Sequence, residues 1–268
     1  MKLRLLQRVA LAAMLVAPVA AHAHRSWLLP SATVLSGEDP WVTVDAARSN
    51  ELFYFDHNAM ALDGLTVTMP DGTAGEAANQ ARGRYRSTFD VRLTQPGTYR
   101  IGVTGDGLTA RWTQDGQPRR FRGTREAFAR DVPANAEGLR VFYTQPRVEF
   151  FVTRGAPTDR ALQPQNEGLE MVPITHPNDL VAGEPARFRM VLDGRPAANL
   201  DVTVIPGGNR YRDQRGEMKI RTAEDGTFAV NWPGPGMFWL SASVRDANSG
   251  IPNVQRSASY VATLEVLP

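Results

Sequence analysis

Phe89-x-Val91-x-Leu93-x-x-Pro96-Gly97-x-Tyr99-x-Ile101 decides the fold, because the chain writes it twice. Phe228-x-Val230-x-Trp232-x-x-Pro235-Gly236-x-Phe238-x-Leu240 follows 139 residues later, position for position. Apolar side chains at every second residue put one face of a strand on a core and the other in water. Pro-Gly between two such runs marks a tight turn. Working outward, Leu35-Ser36-Gly37-Glu38 precedes the strand pattern at Trp41-Val42-Thr43-Val44. In the same way Val181-Ala182-Gly183-Glu184 precedes Phe188-Arg189-Met190. Leu65-x-Val67-x-Met69 parallels Leu200-x-Val202-x-Val204. Matching segments in the same order predict an internal repeat of one β plan. The expected architecture is all-β, with two tandem β-sandwich domains that each close a hairpin through a Pro-Gly turn. Val141-Phe142-Tyr143 and Val148-Glu149-Phe150-Phe151-Val152 read as late strands of the first copy. The linker-like stretch 155–168 then separates a domain over residues 24–155 from one over 168–268. Residues 105–137 are polar and Arg-rich and fit the repeat poorly, so they read as an insertion, with a turn or two of helix at Glu126–Arg130.

The 268 residues include no cysteine, which excludes disulfide staples, thiolate metal sites and a cysteine nucleophile. Residues 1–23 read as a secretory signal peptide. Lys2, Arg4 and Arg8 lead into an apolar stretch, Val9 to Val19, and Ala21-His22-Ala23 supplies the small-x-small cleavage pattern. The mature chain is therefore expected in the periplasm or outside the cell, with cleavage after Ala23 or after Ala21. No later stretch approaches the length of a membrane span. Without the three leader charges, 27 basic residues stand against 28 acidic ones, so no basic field favours nucleic acid. Arg119, Arg120, Arg122 and Arg125 form a local cluster, read first as a solvated loop and second as an anion or partner patch.

The chemistry lies in the histidines. Cleavage after Ala23 makes His24 the first residue, and its α-amine and own ring nitrogen can chelate one metal ion. His57, in Phe53-Tyr54-Phe55-Asp56-His57-Asn58, completes a T-shaped three-nitrogen set. It is expected at the end of an aromatic strand, oriented by Asp56 or Glu51. Cleavage after Ala21 instead places a histidine third, where the amine, two backbone amides and an imidazole form a square plane. Such nitrogen-rich sites suit Cu(II) and next Ni(II). His176, in Pro173-Ile174-Thr175-His176-Pro177, is a further candidate metal ligand. Met60, Met69 and Met171 read as core residues rather than soft ligands. A G-x-S-x-G elbow, a P-loop and an H-E-x-x-H pair are absent from the sequence. Gly105-Asp106-Gly107 opens into a strand rather than a helix, so it reads as a hairpin turn and not a nucleotide fingerprint.

Ala23-His24-Arg25-Ser26-Trp27-Leu28-Leu29-Pro30 and Phe55-Asp56-His57 resemble periplasmic proteins grouped with nickel-uptake, NikM-like components. So do Leu169 to Pro185, Leu192-Asp193-Gly194-Arg195-Pro196 and Thr222 to Phe228. The second domain is similar to transthyretin-like modules, and the pair to immunoglobulin-like sandwiches. The resemblance implies a non-catalytic binding protein for Ni(II), Cu(II) or Co(II), acting in metal uptake or homeostasis. NikM-like transport subunits carry membrane segments and this mature chain shows none, so a separate membrane transporter is the implied partner. Two alternatives stand beside this reading. One is a metal-free sandwich that binds a protein or glycan, and the other is a copper oxidase or monooxygenase built on the same histidine.

Overall fold

The structure, a computed structural model, describes residues 24–268. The signal peptide read at residues 1–23 lies outside the described residues. The first half contains β1 (Arg25–Pro30), β2 (Val34–Leu35), β3 (Trp41–Ser49), β4 (Asn58–Ala59), β5 (Leu65–Thr68), β6 (Ala74–Gly75), β7 (Ala78–Arg82), β8 (Ser87–Arg92) and β9 (Gly97–Thr104). It continues through β10 (Gly107–Gln114), β11 (Gln117–Gly123), the helix α1 (Arg125–Asp131) and the long β12 (Glu137–Arg154). The second half contains β13 (Leu169–Pro173), β14 (Pro185–Leu192), β15 (Arg195–Pro196), β16 (Asp201–Pro206), β17 (Met218–Arg221), β18 (Thr227–Asn231), β19 (Gly236–Asp246) and β20 (Arg256–Val266).

The repeat is structural. In the first half β1 pairs β3, β3 pairs β8, β5 pairs β9 and β9 pairs β12. In the second half β13 pairs β14, β14 pairs β18, β16 pairs β19 and β19 pairs β20. The Pro-Gly turns behave differently from the expected hairpins. β8 and β9 lie in different sheets, as do β18 and β19. Each Pro-Gly is thus an arch that carries the chain from one layer of a sandwich to the other. Gly97 and Gly236 take φ +121 and +129 there, a region open to glycine. At Gly97 a Cβ would also lie 2.8 Å from the Pro70 side chain.

The last strands of the two copies, β12 and β20, pair in parallel from Tyr143↔Arg256 to Phe150↔Thr263. This joins both copies into one 11-stranded sheet, against which a separate sheet from each half packs. Alternation decides which core each side chain enters. Val148, Phe150 and Val152 enter the first-half core, whereas Phe151 enters the second. Ile205, Trp239 and Val261 of the second half point back into the first-half core. The two layers thus pack on opposite faces of one shared sheet.

Two further sequence expectations change. The runs at Val141 and Val148 are one strand, β12. Gly105-Asp106 is a break rather than a hairpin turn, because β9 and β10 run along β12 in a single register, from Gly97↔Arg154 to Arg111↔Arg140. The Gly105 N–H still donates to the Pro146 carbonyl at 2.9 Å across the break. The insertion forms the β10–β11 hairpin and α1, and Phe121 and Phe128 close a small third core with Leu108, Tyr143 and Val254. Met60 and Met171 are buried and Met69 packs against the first core, as their patterning predicts. Among the described residues no helix is long and apolar enough to cross a membrane.

Candidate functional site

His24 stands one residue before β1, whose register places Arg25 opposite Ser49 and Trp27 opposite Ala47 of β3. Trp27 and Leu28 are fully buried, so the chain enters the core immediately after the histidine. His57 stands one residue before β4, which pairs the other edge of the same stretch of β3 through Arg48↔Asn58. The β3 end therefore positions both histidines.

Residues 50–57, which include the aromatic run 53–57 expected as strand, form a compact loop. Phe53 adopts φ +57, and the Tyr54 N–H donates to the Glu51 carbonyl. The aromatic alternation that imitates a strand is used to grip Trp27, with Phe53 and Phe55 rings each 5.5 Å from the indole. Trp27 Nε1–H donates to Ser49 Oγ at 2.7 Å, and the same hydroxyl donates to the Glu51 carbonyl at 2.5 Å. The Asp56 carboxylate accepts from the backbone N–H of Asn50 and Glu51. It closes the loop instead of orienting His57. Glu51 Oε2 accepts from Asn209 Nδ2 at 2.7 Å, so neither carboxylate expected beside the His57 ring bonds to it.

The loop brings the two imidazoles together. The His24 and His57 rings stack with centroids 3.5 Å apart and an interplanar angle of 6°. His24 is exposed and His57 partly buried. Among the described residues, neither ring makes a hydrogen bond. Imidazole binds a metal at about 2.0–2.1 Å, so two ligating nitrogens need to stand about 4 Å apart. The two rings lie parallel, and an imidazole lone pair lies in its ring plane, so a shared ion requires at least one ring to turn out of the stack. Two imidazoles whose nitrogens are otherwise unclaimed are donors of the type that suits Cu(II) or Ni(II). Among the described residues there is no group of three or more His, Asp or Glu side chains placed to hold a metal.

His176 is not part of this pair. Its Nδ1 accepts from the Asn178 N–H at 3.2 Å, and Nε2 lies 3.0 Å from Thr98 Oγ1. Asn178 continues the network to Thr153 Oγ1 and the Phe151 carbonyl. His176 thus pins the start of the second half to β9 and β12. Burial lowers its pKa from the ordinary histidine value.

The second half also frames the histidines, which the sequence does not reveal. Trp239 Nε1–H donates to the Ser26 carbonyl at 3.0 Å, and the Arg25 guanidinium lies 5.7 Å from the Trp239 ring centre. Arg210 stacks over Tyr54 at 3.9 Å, and the Phe53 ring lies against Gly207. Pro206-Gly207-Gly208 reads as a turn, but nothing local says that it meets residues more than 150 positions earlier. Burial first, and then the neighbouring Arg215, lower the pKa of Arg25 against the opposing pull of Glu217 and Glu51.

No curated protein matches this chain. Solved structures similar to it include the D0-D1 domain of intimin, at 13% identity and TM-score 0.23 over 90% of this chain and 97% of that one. The full ectodomain of mouse nectin-like molecule 4 matches at 8% identity and TM-score 0.20, over 91% of this chain and 65% of that one. The ICAM-5 D1-D4 ectodomain fragment matches at 12% identity and TM-score 0.22, over 91% of this chain and 51% of that one. The architecture described above rests on the strand pairing alone. The family described as a domain of unknown function, DUF4198, matches residues 21–246, and the chain belongs to that family.

Proposed function

We propose that the protein binds a divalent transition-metal ion, Cu(II) or Ni(II) and next Co(II), through its N-terminal histidine after export. Cleavage after Ala23 frees the His24 amine. The amine and one ring nitrogen of His24, with one ring nitrogen of His57, then hold the ion. The observation that carries this reading is the contact between two imidazoles from separate segments whose nitrogens are otherwise unclaimed. The ion is cargo, taken up in the periplasm and passed to a separate membrane transporter, the role implied by the NikM-like resemblance. Asp56, Trp27 and Ser49 hold the His57 loop, Asn209 and Arg210 brace it from the second half, and Trp239 holds β1 beside His24 through the Ser26 carbonyl.

The test begins with mass spectrometry of the exported protein to establish its first residue, followed by Cu(II) and Ni(II) titration. A chain starting at His24 is expected to bind about one ion per molecule. His24→Ala or a residual Met before His24 abolishes tight binding, His57→Ala weakens it, and His176→Asn leaves it unchanged. Failure of the correctly processed protein to bind either ion at micromolar concentration refutes the proposal.

A further inference from the structure

A second feature is built from arginines that the strand register brings into line. Arg120, Arg111 and Arg140 are direct cross-strand partners on β11, β10 and β12. Neighbouring strands stand about 4.8 Å apart, so three cations sit side by side on one face. Like charges placed directly opposite destabilise a sheet. All three side chains are exposed, and among the described residues none has an acidic partner or a hydrogen bond. The adjacent row reads Arg122, Thr109 and Phe142, with Phe142 half exposed. The row beyond reads Gly107, Thr144, Ser257 and Arg245. The opposite face of the same strands packs on α1 through Leu108, Phe121 and Tyr143, so the arginine face stays open to solvent.

Two cavities lie along this face. One of about 700 Å³ is lined by Arg140, Phe142, Thr144, Arg245, Gln255 and Ser257. Another of about 520 Å³ lies where β1 and β3 meet the face, with Ser26, Arg48, Thr109 and Arg122 in its wall. Arg122 is near enough to Arg48 to lower its pKa, second to burial. Asp63 and Asp106 also line this corner, but Asp106 is engaged by the Tyr143 hydroxyl.

We propose that this face docks a linear acidic polysaccharide, with its carboxylates on Arg120, Arg111, Arg140 and Arg245 and a sugar ring on Phe142. Cations repeat across the strands at about the rise of one hexose unit, and threonine hydroxyls stand between them to bond sugar hydroxyls. Phe142 supplies the apolar surface on which the C–H face of a sugar packs. A bilayer is disfavoured because Phe142 is the one exposed large apolar side chain in these rows to insert. Nucleic acid is disfavoured because the mature chain has no net positive field. The proposal uses none of the metal-binding residues and stands whether or not the histidines hold an ion.

The test titrates the full-length mature protein with oligogalacturonate of about eight units at 50 and 200 mM NaCl. Saturable binding is expected, weaker at the higher salt. The triple variant Arg111→Gln, Arg120→Gln, Arg140→Gln should lose at least tenfold in affinity while melting at the same or a slightly higher temperature, because it relieves like-charge repulsion. Phe142→Ala should lose severalfold toward oligogalacturonate and less than twofold toward polyphosphate. Arg187→Gln, on an exposed arginine of β14, should change neither. The proposal is overturned by absent binding at 50 mM NaCl, by an unchanged triple variant or by an unchanged Phe142→Ala. It is equally overturned if an oligothymidylate or anionic phosphatidylglycerol vesicles bind more tightly than the glycan.

Discussion

Replacing Ser49 by alanine removes one oxygen and little volume, yet it should be among the costlier small changes in the first half. Ser49 is fully buried, and its hydroxyl links Trp27 Nε1–H, at 2.7 Å, to the Glu51 carbonyl, at 2.5 Å. In Ser49→Ala the indole N–H is left without a partner on a side chain that is 0% exposed. A buried donor so orphaned costs about 1–3 kcal/mol. Glu51 is only partly buried, so its carbonyl recovers a water and loses about 0.5–1 kcal/mol. Together they cost about 3 kcal/mol. At about 2–4 °C per kcal/mol for a chain of this size, the melting temperature should fall by about 6–12 °C. Thermal and urea denaturation of Ser49→Ala, Trp27→Phe and the double variant measures this. Once the donor is gone, the missing acceptor costs less, so the double variant should be more stable than additivity predicts by about 1–2 kcal/mol. A shift below about 2 °C for Ser49→Ala refutes the reasoning, as does additivity within about 0.3 kcal/mol.

The remaining predictions concern an ion cluster of the second half and a joint between the halves. Arg256, 4% exposed, holds Asp193 and Asp246 by paired hydrogen bonds, so Arg256→Ala should destabilise by about 2–4 kcal/mol. The lower part of that range applies if the two partly exposed carboxylates rehydrate. Arg256→Lys should recover little of the loss because an ammonium lacks the fork, and an urea midpoint near wild type in either variant contradicts this role. His176, whose pKa is lowered by burial, binds a proton less readily folded than unfolded. Its contribution is present above the unfolded value of about 6.5 and is lost as pH falls through the folded value. Melting curves between pH 7.5 and 5 should therefore drop more steeply for wild type than for His176→Asn, and parallel curves count against it.

Much of the β plan was legible because it is local. Alternation at Phe89–Leu93 and Phe228–Trp232 reports a half-buried strand wherever it occurs, and Pro-Gly reports a turn. What alternation does not report is the partner. A hairpin and an arch have the same signature, and here Gly97 and Gly236 carry the chain between layers. The run Phe53-Tyr54-Phe55 failed as a strand for a related reason. Phe53 and Phe55 pack on Trp27, Tyr54 stacks under Arg210, and Asp56 closes the loop on the Asn50 and Glu51 N–H groups, so tertiary packing outweighs the period. The Arg119–Arg125 cluster was visible as composition, but its alignment with Arg111 and Arg140 exists only in the register of β10 with its two neighbours.

The candidate metal site divides in the same way. His24 stands out in the sequence because a cleavage pattern is written beside it, and His57 because it is an imidazole at the end of an aromatic run. Their stacking depends on β1 and β4 flanking one end of β3. By itself, then, the amino-acid order determined the two-copy succession of strands and turns and the stock of residues able to do chemistry, since these follow from side-chain size, polarity and backbone preference within a few residues. Tertiary structure alone decided that β12 and β20 join in parallel, that each half borrows core from the other and that the two imidazoles touch. Those outcomes rest on burying apolar surface between segments far apart in the chain, a free energy that belongs to the assembled sheet and to no single stretch of it.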